Sequence, residues 1–167
     1  MSLDEATEYR NALLAALGDD DPLEVLGSTV ESVRALTEGV PGERMIAEPA
    51  PGEWSARHVL SHWYDTDLVY GIRIRMTLTQ DRPVLVGYDQ GAWAGRFGLL
   101  DDNARQTHLR WRWVRENNLR LYRSLSDEEW ERVGLHAERG EESVRTMVRM
   151  LAGHDRMHLE HLASLLA

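Results

Sequence analysis

The chain has 167 residues, 43% of them apolar, with six tryptophans and a formal net charge of −9; this describes a packed acidic globule and argues against disorder and against phosphate-driven nucleic-acid binding. It has no cysteine, and its nineteen basic residues are all arginine. Thiolate and Schiff-base nucleophiles, disulfides and a P-loop lysine are thereby excluded, leaving His, Asp, Glu and Tyr, with any bound metal, as the chemical repertoire.

The first residues, Ser2-Leu3-Asp4-Glu5, offer no basic region followed by an apolar one. No apolar run approaches membrane-spanning length, so a cytoplasmic protein with no membrane partner is expected. A short helix is predicted from Asp4 to Leu17, ended by Gly18 and the acidic run Asp19-Asp20-Asp21. Pro22 suits the first position of a second helix, about Leu23 to Thr37, with Leu23, Leu26, Val30, Val33 and Leu36 along one side. Gly39, Pro41, Gly42, Pro49, Pro51 and Gly52 mark an irregular connection. Ser55 is expected to cap a long helix from about Ala56 to Thr79, with Trp54 as a hydrophobic staple in front of it.

From Asp81 to Leu100, five glycine and proline residues interrupt any long periodicity, yet Tyr88, Trp93 and Phe97 gather there. A long loop rich in rings suggests a lid or pocket wall, with Tyr88 and Trp93 as substrate-pocket candidates and Arg73 on the preceding helix as a third. A further long helix is expected to start near Asp101-Asp102 and to carry Leu109, Trp113, Leu121 and Leu125, with the Arg and Glu residues between 110 and 132 on a charged outer face. Residues 126–142 read as a connection, and a last helix runs from about Ser143 to Leu166. No segment alternates as a strand. Four long helices with long crossovers give an all-α four-helix bundle, expected as one domain over residues 1–167.

The last helix bears the chemistry. His154, His158 and His161 fall on the stripe formed by Val144, Met147, Leu151 and Leu165, so the spacing turns three imidazoles inward. Burying them without partners is costly, and a divalent metal ion would satisfy them. One helix rarely completes such a site. His62 on the second long helix is the best further ligand, and Asp65, three residues on, could orient an imidazole or take part in proton transfer. His58 could form an alternative pair with His62, although surface positions are expected for His58, His108 and His136. Three neutral nitrogens with an open position describe a catalytic site. They suit zinc or nickel first, with iron, manganese or copper also compatible.

Four segments carry a resemblance. They are Glu53-Trp-Ser-Ala-Arg-His-Val-Leu-Ser-His62, Gly87-Tyr-Asp-Gln-Gly-Ala-Trp93, Leu125-Ser-Asp-Glu-Glu-Trp130, and His154 to Leu162. In this order they make the chain resemble the DinB-like superfamily, most closely its YfiT-like branch of metal-dependent enzymes, from about Pro51 onward. The resemblance implies a bundle whose metal is held by His62, His154 and His158. His161 matches a position where many relatives have glutamine and the YfiT-like branch has histidine, so its role as fourth ligand or pocket acid/base is open. Members with assigned activity transfer low-molecular-weight thiols such as bacillithiol or mycothiol to electrophiles, or use such a thiol in isomerisation. The function expected is therefore activation of a thiol cosubstrate (S-transferase) or of water (hydrolase) toward a small-molecule substrate. Asp65, His161 or Tyr88 would move protons. The rival readings are a non-catalytic bundle that binds metal or a small ligand, and a metal-free bundle acting through protein contacts. A homodimer is compatible with either.

Overall fold

A computed structural model describes residues 3–101 and 103–167; the readings that involve Ser2 and Asp102 lie outside them. Five helices make the frame: α1 (Leu3–Leu17), α2 (Pro22–Thr37), α4 (Ala56–Thr79), α6 (Ala104–Tyr122) and α8 (Val144–Leu166). Shorter elements lie in the connections: α3 (Gly42–Ile46), β1 (Val84–Leu85), α5 (Gln90–Phe97), α7 (Asp127–Trp130), β2 (Val133–His136) and β3 (Gly140–Ser143). The all-α four-helix bundle expected from the sequence is borne out. Helix α8 packs on α2 and α4, α4 on α6, and α6 on α2, closing the bundle, while α1 lies against α8. No helix among the described residues is long and apolar enough to cross a membrane.

Local signals set the helix ends. Asp21 accepts from the Leu23 and Glu24 N–H groups with Pro22 at the first position, and Ser143 caps α8 by accepting from Thr146 N. Ser55 and His58 form a reciprocal capping pair at the start of α4. His58 is therefore occupied at the helix end and does not pair with His62.

Four expectations are corrected. The segment from Asp81 to Leu100 contains β1 and α5, and residues 126–142 contain α7, β2 and β3, so strands are present after all. β1 pairs in parallel with β2 (Val84 with Leu135), and β2 pairs antiparallel with β3 (Val133 with Ser143). Strands this short, formed across distant segments, leave no alternation long enough to detect. The inward face of α6 is also different from the one read. Thr107, His108, Trp111, Arg115, Asn118, Leu119 and Tyr122 are buried, whereas Leu109 is exposed and Trp113 is 71% exposed; Leu125 lies beyond the helix end. The charged-outer-face reading fails at Arg115, which carries polar partners into the interior. His108 and His136 are buried, not superficial. His108 is held by a 2.8 Å contact from its Nε2 to the Val30 carbonyl.

The core has two apolar regions. One gathers Leu17, Leu26, Ile74, Tyr122, Met147 and Leu151; the other gathers Val33, Val59, Leu60, Trp63, Trp111 and Leu162. Helix α4 runs through both, with sixteen of its 24 residues buried. That is why its sequence shows no clean apolar stripe.

Candidate metal centre

Helices α4 and α8 bring three imidazoles together. The structure places one ring nitrogen from each of His62, His154 and His158 within 4.8 Å of the others. His62 and His154 are 2% and 3% exposed, and His158 is half-buried. The two Nε2 atoms of His62 and His154 face each other at 2.8 Å. Burial, and then the neighbouring imidazoles, hold His62 and His158 well below the ordinary imidazole range, so both rings are neutral. Nδ1 of His154 and Nδ1 of His158 are buried without a hydrogen-bond partner, with the Asp155 carboxylate 3.8 Å from the former.

The other sequence candidates fall into different places. His161 is exposed, its ring centre 6.2 Å from that of His158, and it does not join the three. The inward face of α8 passes from His158 to Leu162, four residues on, instead of His161, three residues on. The expected inward stripe is thus corrected at that position. Asp65 is buried with Oδ2 unpaired, and burial pushes its pKa up to about 6 against the opposing charge of Arg110. Tyr88 and Arg73 line a cavity of about 840 Å³ that opens onto His154. Trp93 does not line it; its ring packs edge-on against Tyr88 at 4.9 Å.

The sequence profile of the DinB superfamily matches residues 26–162. The chain belongs to the DinB superfamily. A relative from Oceanobacillus iheyensis is 31% identical over 132 residues, covering 74% of this chain and 71% of the relative. One from Bacillus cereus strain B4264 is 31% identical over 118 residues, covering 68% of this chain and 65% of the relative. Both carry the provisional name of metal-dependent hydrolase. The solved structure of YfiT from Bacillus subtilis, described as a probable metal-dependent hydrolase with an unusual four-helix bundle topology, matches with a TM-score of 0.80 at 20% identity, over 87% of this chain and 84% of YfiT. At that identity the match speaks for the DinB fold alone.

Around the three histidines, several contributors are invisible to motif reasoning. Trp54 lies with its ring centre 4.9 Å from that of His62 and 6.5 Å from that of His158, so it walls the cluster as well as leading into α4. The Thr66 hydroxyl lies 3.5 Å from His62 Nε2 and 3.0 Å from the Tyr88 hydroxyl, linking the imidazoles to the cavity. Thr66 follows His62 by four residues, and that spacing is the one signal that could have found it. His136, on β2, also lines the cavity; burial, then the charge of Arg139, lowers its pKa to about 4. Nothing in its local sequence marks it.

Proposed function

We propose that the chain is a metal-dependent enzyme acting on a small molecule, with His62, His154 and His158 holding one divalent ion. The supporting observation is the pair of buried Nε2 atoms of His62 and His154, 2.8 Å apart, with burial holding the His62 ring well below the ordinary imidazole range. Two imidazole nitrogens facing each other in a ring-lined space fit a cation, and His158 completes a three-nitrogen donor set. Three imidazoles suit zinc or nickel, and iron, manganese or copper also accept them. A divalent ion bound there supplies Lewis acidity and lowers the pKa of the nucleophile it meets.

The protein's own groups do the rest. Trp54 and Trp63 shield the histidines on one side, with the ring centre of Trp63 6.0 Å from that of His158. On the other side Thr66 and Tyr88 carry a hydrogen-bonded path into the cavity. Burial pushes the Tyr88 phenol up to about 12, so it keeps its proton and can donate to a substrate oxygen.

The names of the relatives favour water as the nucleophile, hence hydrolysis. Thiol transfer is the second reading, because a cavity of about 840 Å³ has room for a cosubstrate beside the substrate. With no cysteine in the chain, the thiol must come from outside. Tag-free protein should contain about one metal ion per chain by elemental analysis. A panel of esters and amides, and the conjugation of a small thiol to bromobimane, should give a rate that chelation abolishes and metal restores. Protein that neither contains metal nor takes it up on reconstitution refutes the reading. Stoichiometric metal with no rate in either assay supports the binding-protein alternative instead.

A further inference from the structure

One cation in the cavity wall lacks an anionic partner. Arg73 is 3% exposed, and its Nε and Nη2 both donate to the Val86 carbonyl, at 2.8 and 2.6 Å. Among the described residues no carboxylate lies within ion-pair distance of it, and its Nη1 donates to no protein acceptor. The neighbouring charges are already engaged. Arg139 pairs with the buried Glu142, and the Asp89 carboxylate accepts from Ala92 N at the start of α5. Besides the Val86 carbonyl, the guanidinium has the face of the Tyr70 ring at 5.2 Å and a long contact of 3.5 Å to His136 Nε2, so its charge has no anion against it and its Nη1 is left for a ligand in the cavity.

His136 adds a second donor beside it. Its Nδ1 accepts the Glu138 N–H at 3.2 Å, which assigns the single proton of the neutral ring to Nε2. That Nε2 lies 3.5 Å from Arg73 Nη2. This long contact sets two nitrogens side by side, and with the ring proton on Nε2 one anionic oxygen can accept from both. We propose that Arg73 and His136 bind the carboxylate of an organic-anion substrate whose other end reaches the His62–His154–His158 cluster. The second half of this statement rests on the metal-enzyme reading; the first does not.

Register and charge both fit. His62, Thr66, Tyr70 and Arg73 follow one face of α4 at steps of four, four and three, and Thr66, Tyr70, Arg73 and His154 line the same cavity. Eleven helical residues rise about 16 Å, and an arginine side chain leaning toward the helix N-terminus shortens the gap to the length of a small extended metabolite. With Arg139 paired to Glu142, Arg73 supplies one positive charge beside the wall carboxylates of Asp89 and Glu138, which matches a carboxylate better than a doubly charged phosphate.

Calorimetric titration of the full chain in chelator tests this, with phenylacetate, phenylacetamide and inorganic phosphate as probes. Phenylacetate should bind at least tenfold more tightly than its neutral amide and more tightly than phosphate. Arg73→Met should abolish the preference, and Arg73→Lys should keep part of it. His136→Phe, which retains a ring but no donor, should weaken phenylacetate severalfold, and it serves if Arg73→Met does not fold. Equal binding of acid and amide, an unchanged preference in either Arg73→Met or His136→Phe, or tighter binding of phosphate overturns the proposal. His154→Ala should lose metal yet keep the acid-over-amide preference, so failure of the metal reading and failure of this one are separately visible.

Discussion

The indole N–H of Trp63 donates to Asp155 Oδ1 at 3.0 Å, joining the residue after His62 to the residue after His154. The histidines are thus set against each other by their sequence neighbours. Asp155 also accepts from Arg115 at 2.6 Å; Arg115 in turn donates to Asp67 at 2.8 Å and to the Leu26 carbonyl at 2.9 Å. This buried network ties α2, α4, α6 and α8 at one level of the bundle. Burial alone would raise Asp155, but Arg115 and His154 outweigh it and hold the carboxyl below its usual range.

Asp155→Ala should therefore act on fold and site together. Arg115 keeps Asp67, but two of its N–H groups and the Trp63 indole N–H lose their buried acceptor, at about 1–3 kcal/mol for each group left unsatisfied. Urea unfolding should show a loss of that size, and metal affinity should fall although Asp155 is outside the three-histidine group. A loss under 1 kcal/mol would show that the network is not holding the helices in register.

The four histidines of the site region should separate cleanly. His62→Ala, His154→Ala and His158→Ala should each lower bound metal from about one ion per chain to a small fraction, by elemental analysis after dialysis. His161→Ala should leave stoichiometry unchanged, since that ring is exposed and outside the group. Equal losses in all four variants would mean that the α8 register is wrong.

The contrast between His158 and His161 shows how far the sequence could be followed. The long helices were legible because caps and breakers bracket them: Asp21 with Pro22, Ser55, and Ser143 all sit at helix starts. The approach of His62 to His154 followed from a family segment and not from periodicity, since α4 is buried nearly all round. Spacing alone could not decide between steps of three and four at the end of α8, so His161 was placed inward. Arg115 reads as superficial because a lone arginine on a helix is normally solvated; its two carboxylate partners come from α4 and α8, 48 and 40 residues away. The Arg73–His136 pair has the same origin. β2 is set against α4 by a sheet of very short strands, and contacts of that kind leave no local pattern.

Helix α1 supports the site from behind through one glycine. A Cβ on Gly153 would lie 1.8 Å from the Leu13 carbonyl oxygen and 2.6 Å from its carbon. The obstacle is backbone, which cannot swing aside as a side chain can. Gly153→Ala should push α1 off α8 immediately before His154 and cost at least the 1–3 kcal/mol, roughly, of core overpacking. Thermal unfolding should show the loss, and faster hydrogen exchange should be confined to α1 and the adjoining turns of α8. A variant as stable as the parent would exclude this close helix contact.

Asp65 gives a prediction with a definite sign. Its folded pKa of about 6 lies above the ordinary carboxylate value of 3.8, with burial as the main cause and Arg110 opposing. Folding therefore favours the protonated form and takes up a proton between these two values. The stability is present at pH 4 and is lost as the pH rises through 6, where keeping the carboxylate buried costs up to about 3 kcal/mol. Asp65→Asn removes that cost and is nearly isosteric. In chelator-treated protein the variant should be more stable than the parent by about 1–3 kcal/mol at pH 8, with the advantage shrinking toward zero at pH 4. If the enzyme uses this carboxylate, the same variant should lose activity while gaining stability. Equal stability of the two proteins at pH 8 would mean that Asp65 is solvated and titrates normally, and its candidacy for proton transfer would go with it.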